Sequence, residues 1–94
     1  MALIDDVKKA LRITSLAFDT EVTDLINAAK ADLTLSGVDT LVETDPLIKR
    51  AIITYCKAHF GYDNPDALRL MESYESLKKH LVISTDYHTY PVAE

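Results

Sequence analysis

Residues Asp45–Pro65, DPLIKRAIITYCKAHFGYDNP, read as one helix with its start and stop written into the sequence. Asp45 can accept from the first free backbone N–H groups, and Pro46 stands where a missing N–H costs nothing. Gly61 can take the left-handed turn that ends a helix, and Asn64-Pro65 repeats the opening signal for the next one. At about 100° per residue, Leu47, Ile48, Ala51, Ile52, Tyr55, Cys56, Ala58, His59 and Phe60 cover well over half the circumference. Ile53 falls outside that arc, near Lys49, Arg50 and Lys57. A helix so apolar is buried on more than one side. In a chain of 94 residues, that predicts a central helix and a fold that leans on a partner, with another copy of the chain as one candidate.

The rest of the composition agrees with a small all-α protein. Ninety-four residues allow one domain and one modest core. The chain is 48% hydrophobic and 27% charged, a globular balance. Two Gly and three Pro argue against a many-turned β fold. A formal charge of −5 argues against a general nucleic-acid binder, which needs a basic footprint to neutralise phosphates. Cys56 is the single cysteine, so no disulfide can form within the chain; its place on the apolar helix suits a small hydrophobe in a reducing compartment. MALIDDVKKALRI lacks the apolar core of a signal peptide, and no apolar run approaches the ~18–20 residues of a membrane span. The reading is a protein made in a cytoplasm, with no membrane partner.

Outward from the central helix, three more helices and a tail follow. The first spans about Ala2–Leu11, with Leu3, Val7, Ala10 and Leu11 as its stripe. Asp5 and Asp6 near its start and Lys8, Lys9 and Arg12 near its end complement the helix dipole, and Asp5 can pair with Lys9. The second spans about Glu21–Leu35 behind a cap at Asp19 or Thr20, with Val22, Leu25, Ile26, Ala29 and Leu33 facing inward and Gly37 as the stop. Val38–Thr44, carrying Asp39 and Glu43 and no base, reads as an acidic loop or a short irregular turn. The fourth helix spans about Pro65–Leu81, its faces set by Leu68, Met71, Tyr74, Leu77 and Leu81, with a Glu75–Lys79 surface pair. The predicted fold is an all-α bundle of about four helices over residues 1–81 and an extended tail over 82–94. VISTDYHTYPV, at 82–92, is rich in β-branched and aromatic residues. Such a segment either docks on another backbone or frays.

No catalytic constellation emerges. Cys56 and His59, three apart on one helix, could begin a nucleophilic or metal site. His59 projects into the middle of the apolar arc, which predicts a core histidine bonded to a nearby carbonyl. Two further ligands at zinc spacing are not visible, and His80 and His88 belong to no shared motif. Asp5 and Asp6 point about 100° apart and do not share a site. There is no glycine-rich phosphate loop, nucleophile elbow, HExxH or EF-hand pattern. The reading is therefore no catalytic residue, no cofactor and no metal. A helix-turn-helix reader needs several Arg, Lys, Asn or Gln on one exposed face; Lys49, Arg50 and Lys57, or Lys8, Lys9 and Arg12, make thin clusters. Ile53, Met71, Tyr87 and Tyr90 are the candidates for protein contact. The alternative for Ile53 is cover from the first helix.

The order of these elements resembles a known family. A helix ending KKALRIT, an acidic turn at Asp19, EVTDLINAAKADL and Gly37 form one half of the pattern; DPLIKRAIITYCKAHFGYDNPD forms the other. Together, over about Leu3–Leu81, they resemble the small head–tail connector (head-completion or adaptor) proteins of tailed phages and prophages. LRIT at 11–14, LINAAK at 25–30, and the Asp-Pro-Leu opening followed by AIITYCKAHF at 51–60 carry most of the likeness. Many relatives have an Arg or an acid just past the His-Phe pair, where this chain has Gly61-Tyr62-Asp63-Asn64-Pro65.

The resemblance implies a structural protein without catalysis. It implies a ring, dodecameric in the virion, beneath the portal protein of a filled capsid. The ring would extend the channel for passing duplex DNA, without reading sequence, and present a surface to the stopper or tail-completion protein. Assembly would take place in the host cytoplasm and residence at the virion head–tail junction. Three physical readings run parallel. An over-apolar helix suits head-to-tail packing that closes; an extended tail suits an inter-subunit arm; a net acidic chain suits a wall that does not grip DNA. Asp39, Glu43 and Asp45 are the acids read as channel-facing. Two other classes remain: a small DNA-binding or packaging-associated helical protein, and a regulatory or toxin-associated helical domain.

Overall fold

The computed structural model describes residues 3–38, 41–42, 44–61 and 64–83. Among them the fold is all-α. Helices α1 (Leu3–Leu11), α2 (Asp19–Leu35), α3 (Pro46–His59) and α4 (Ala67–Ile83) follow one another, and a short 3₁₀ turn at Leu16–Phe18 leads into α2. No strand occurs among the described residues.

Local chemistry sets the helix ends. The Asp45 carboxylate accepts from the Leu47 and Ile48 N–H groups at 2.8 and 3.3 Å, and Pro46 occupies the first helical position of α3. At the end of α2, the Val38 N–H donates to the Leu33 carbonyl (2.9 Å) and the Gly37 N–H to that of Thr34 (3.1 Å). Gly37 sits at φ 109°, and the flanking Leu33 and Val38 are both buried, so an apolar contact locks the turn. The same paired closure ends α1, where Ile13 donates to Lys8 (3.0 Å) and Arg12 to Lys9 (3.1 Å). There the left-handed residue is Arg12, at φ 60°, a conformation that glycine takes more cheaply. Asn64 joins α3 to α4: its amide donates to the Lys57 carbonyl at 2.6 Å, and its side-chain oxygen accepts from the Asp66 N–H at 3.0 Å.

The central helix of the sequence is central in space, since α3 packs against α1, α2 and α4. Val7, Val22, Ile26, Leu33, Ile48, Ile52, Tyr74 and Leu81 meet in one core around it. Each such side chain contributes roughly 1.5–3 kcal/mol by leaving water. Two ion pairs fasten α1 to its neighbours: Asp6 to Lys49 of α3 at 3.1 Å and Lys8 to Asp19 of α2 at 2.6 Å. The short 3₁₀ turn is held by Phe18, whose ring meets Phe60 edge-on at 5.6 Å.

Several sequence expectations need correction. Helix α2 begins at Asp19, because the 3₁₀ turn runs straight into it. Asp19 is therefore a first-turn acid paired with Lys8, and the N-cap position falls to Phe18, which makes no side-chain cap bond. Helix α4 begins at Ala67, because Asn64, Pro65 and Asp66 are folded into the turn before it, and it continues past Leu81 to Ile83. Glu75 pairs with Lys78 at 3.1 Å, one residue before Lys79. Leu68 does not help to bury α4: six residues before Tyr74, it points about 120° away from the core and is exposed. His59 is also exposed. It is the last helical residue of α3, and its ring lies on Tyr55 at 4.3 Å between centroids.

Candidate functional site

Two features of α4 set the surface chemistry of the bundle. The first is a polar tie to α2. Tyr74, fully buried, donates its hydroxyl to Asp32 at 2.5 Å, and Lys78 reaches the same carboxylate at 3.1 Å. Lys78 also bonds Glu75 at 3.2 Å, and its ammonium lies 5.4 Å from the centre of the Tyr74 ring. Tyr55 of α3 meets Tyr74 edge-on at 5.1 Å. Burial alone pushes the Asp32 carboxyl up, but the Tyr74 and Lys78 hydrogen bonds, the Lys78 charge and the nearby His59 together hold it below its ordinary 3.8. Burial pulls Lys78 down, and its bonds to Glu75 and Asp32 and their charges carry it above 10.5. Burial and the Asp32 carboxylate both keep the Tyr74 proton in place far above the usual phenol range. All three shifts favour one arrangement, with anionic Asp32 between a neutral phenol and an ammonium. That arrangement binds helices together; it has no group poised to transfer a proton at neutral pH.

The second feature is an open groove of about 580 Å³ between α3 and α4. Ile53, Leu70 and Leu77 give it apolar surface; Arg50, Lys57 and Arg69 give it positive charge. Thr54, Ser73 and Ser76 add hydroxyls, and Glu72 is the one acid among the described lining residues. The Thr54 hydroxyl is already committed to the Arg50 carbonyl at 2.8 Å, which explains how a buried threonine sits on α3. Arg69 shares its charge with Asp66 at 3.5 Å, both side chains well exposed. In a chain of net charge −5, a furrow flanked by three cations is a local reversal.

The residues singled out from the sequence fall in several places. Ile53 is half-buried and lines the groove beside α4 residues. Met71 is half-buried and packs against the core. Asp45 caps α3. Tyr87, Tyr90, Asp39 and Glu43 lie outside the described residues. Cys56 is buried, and burial pushes its thiol up to about 12, so it stays protonated and unreactive at neutral pH. Among the described residues, no three His, Cys, Asp or Glu side chains gather where they could share a metal ion. None of the described helices is long and apolar enough to cross a membrane.

The sequence reading missed the Asp32–Tyr74–Lys78 tie and the groove. A signal for the first was present: Asp32 falls about 20° from Leu25 on the α2 wheel, at the edge of the buried stripe. The groove had none, since it depends on how α3 and α4 pack. Among the described residues, the large exposed apolar groups are not Ile53 or Met71. They include Leu16 (79% exposed), Leu35 (87%), Leu68 (74%) and Ile83 (74%).

No curated protein matches the chain, and no solved structure does. A family model described as "Phage connector protein" matches residues 3–88. That span takes in all four helices, both reversed closures at Arg12 and Gly37, the capped central helix and the groove. With a match over most of its length, the chain belongs to the phage connector protein family.

Proposed function

We propose that the chain is a head–tail connector that closes into a ring of about twelve copies beneath a portal protein. Assembled in the host cytoplasm, the ring occupies the head–tail junction of the virion. It lengthens the channel for duplex DNA and gives the stopper or tail-completion protein a surface to bind. Residues 1–81 form the connector body and 82–94 an arm to a neighbouring subunit. Ile53 and Met71 from the body, with Tyr87 and Tyr90 from the arm, are contact residues; Asp39, Glu43 and Asp45 face the channel. No step of this role is catalytic.

The observation that carries the reading is the family match over residues 3–88. The surface supports it: a core closed around α3 leaves Leu16, Leu35, Leu68 and Ile83 at least 74% exposed, more large apolar surface than a small solitary domain needs. The test is native mass by light scattering, with negative-stain images, of the chain alone and mixed with a portal ring. Closed rings of about a dozen copies in either sample support the proposal; a monomer in both contradicts it.

The groove cations Arg50, Lys57 and Arg69 give a second reading, a small DNA-binding or packaging-associated protein, its one physical foothold. Phosphates would then meet Ile53, Leu70, Leu77 and Glu72 as well, a poor lining for a polyanion. Binding to duplex DNA that falls steeply with salt would favour this second reading.

A further inference from the structure

The α3–α4 groove and the outer face of α2 complement one another. On α3, Arg50, Ile53 and Lys57 share a strip about 60° wide, roughly opposite Ile48 and Ile52, which face the core. The groove therefore opens on a side of α3 turned away from those core contacts. Lys57, near the end of α3, and Arg69, near the start of α4, put two cations at one end of it. Ile53, Leu70 and Leu77 supply apolar surface, and Arg50 stands about 10 Å from Lys57 along the axis.

The outer face of α2 has the matching pattern. Glu21, Asp24, Ala28, Ala31 and Leu35 are all exposed and lie within an arc of about 80°. The strip opens with two acids, continues with two alanines and ends on Leu35, the most exposed of the large apolar side chains described. Small side chains in the middle of a ridge let a helix approach a groove closely. Among the described residues, neither acid takes part in an ion pair.

We infer that the groove receives α2 of a second copy of this chain. Glu21 and Asp24 of that copy meet Lys57 and Arg69, its alanines cross Ile53 and Leu70, and its Leu35 reaches Leu77 at the far end, where Arg50 also stands. Groove and ridge are different surfaces of one subunit, so the contact is head-to-tail and each copy keeps one of each free for the next. This rests on the ring proposed above and names the faces that build it. The charges fix which end of α2 lies at Lys57; the apolar strip supplies the association.

Charge reversal tests it with the full-length chain. One variant carries Lys57→Glu and Arg69→Glu; another carries Glu21→Lys and Asp24→Lys. All four sites are exposed, and thermal unfolding of each variant checks that the fold is kept. Native mass is measured at low ionic strength up to millimolar protein. Each variant alone juxtaposes like charges and should associate about a hundredfold more weakly than the wild type. Mixed one to one, the two should assemble, because the acidic groove of the first accepts the basic ridge of the second and the unaltered pairing links the remaining faces. Wild-type rings with both variants assembling normally alone would overturn this contact and leave the ring standing. Variants that stay apart when mixed would also overturn it. A wild type that stays monomeric at millimolar concentration would overturn it too, while rings formed with the portal would still uphold the connector reading.

Discussion

The Tyr74 hydroxyl and the Asp32 carboxylate, 42 residues apart in sequence, meet at 2.5 Å and join α4 to α2. Apolar packing holds α4 chiefly to α3, so this polar contact sets how α4 lies relative to α2. Tyr74→Phe removes the hydroxyl and leaves the ring. Hydrogen bonds to charged groups are worth about 1.5–3 kcal/mol, and partial exposure of Asp32 moves the expectation towards the lower end. Urea unfolding at neutral pH should show a loss of about 1–2 kcal/mol. An unchanged midpoint would mean that water replaces the phenol without cost.

The same tie predicts a pH dependence. Asp32 has a lowered pKa in the fold, so its contribution is present above 3.8, the ordinary carboxyl value, and is lost as pH falls through the lower folded value. Lys78 and Tyr74 have raised values, so theirs is complete below 10.5 and 10.0 respectively and is lost at higher pH. Asp32→Asn should therefore destabilise the protein at neutral pH and much less in acid below the folded pKa. Equal destabilisation at both pH values would show that the Asp32 charge does not matter.

Arg12 offers a stabilising change. An L-residue in the left-handed region costs about 1–2 kcal/mol, and glycine returns part of that through its looser unfolded state. With φ at 60°, Arg12→Gly should raise stability by about 0.5–1 kcal/mol, and a β-branched residue there should lower it. A destabilised glycine variant would point to a contact of the Arg12 side chain that outweighs the backbone.

Cys56 should be silent while the fold is intact. Burial lifts its thiol to about 12, so at mildly alkaline pH a disulfide reagent should react only as fast as the protein opens, and denaturant should speed the reaction sharply. Rapid labelling of the native chain would contradict the packing of α3.

Much of this fold was legible in the sequence because its punctuation is chemical and local. Asp45-Pro46, Gly37 and Gly61 each mark a helix end that the structure contains. The apolar breadth of 45–60 fixed α3 at the centre, where it meets the other three helices. What escaped depends on partners remote in sequence. His59 fits the apolar arc by angle, yet it is exposed at the last helical position of α3, and its ring lies on Tyr55 instead. Leu68 follows a 3–4 spacing with Met71, but the buried Tyr74 and Leu81 define a different face. Ile53 was marked as a contact residue by its exclusion from the arc; the groove that gives it neighbours exists only once α4 is docked. The Arg12 closure carries no glycine to announce it.

The measurement that bears most directly on the central claim is the native mass of the chain, by light scattering with negative-stain images, alone and in the presence of a portal ring. Closed rings of about a dozen copies should form in at least one of the two samples. A chain that remains a monomer in both, leaving the portal bare, would contradict it.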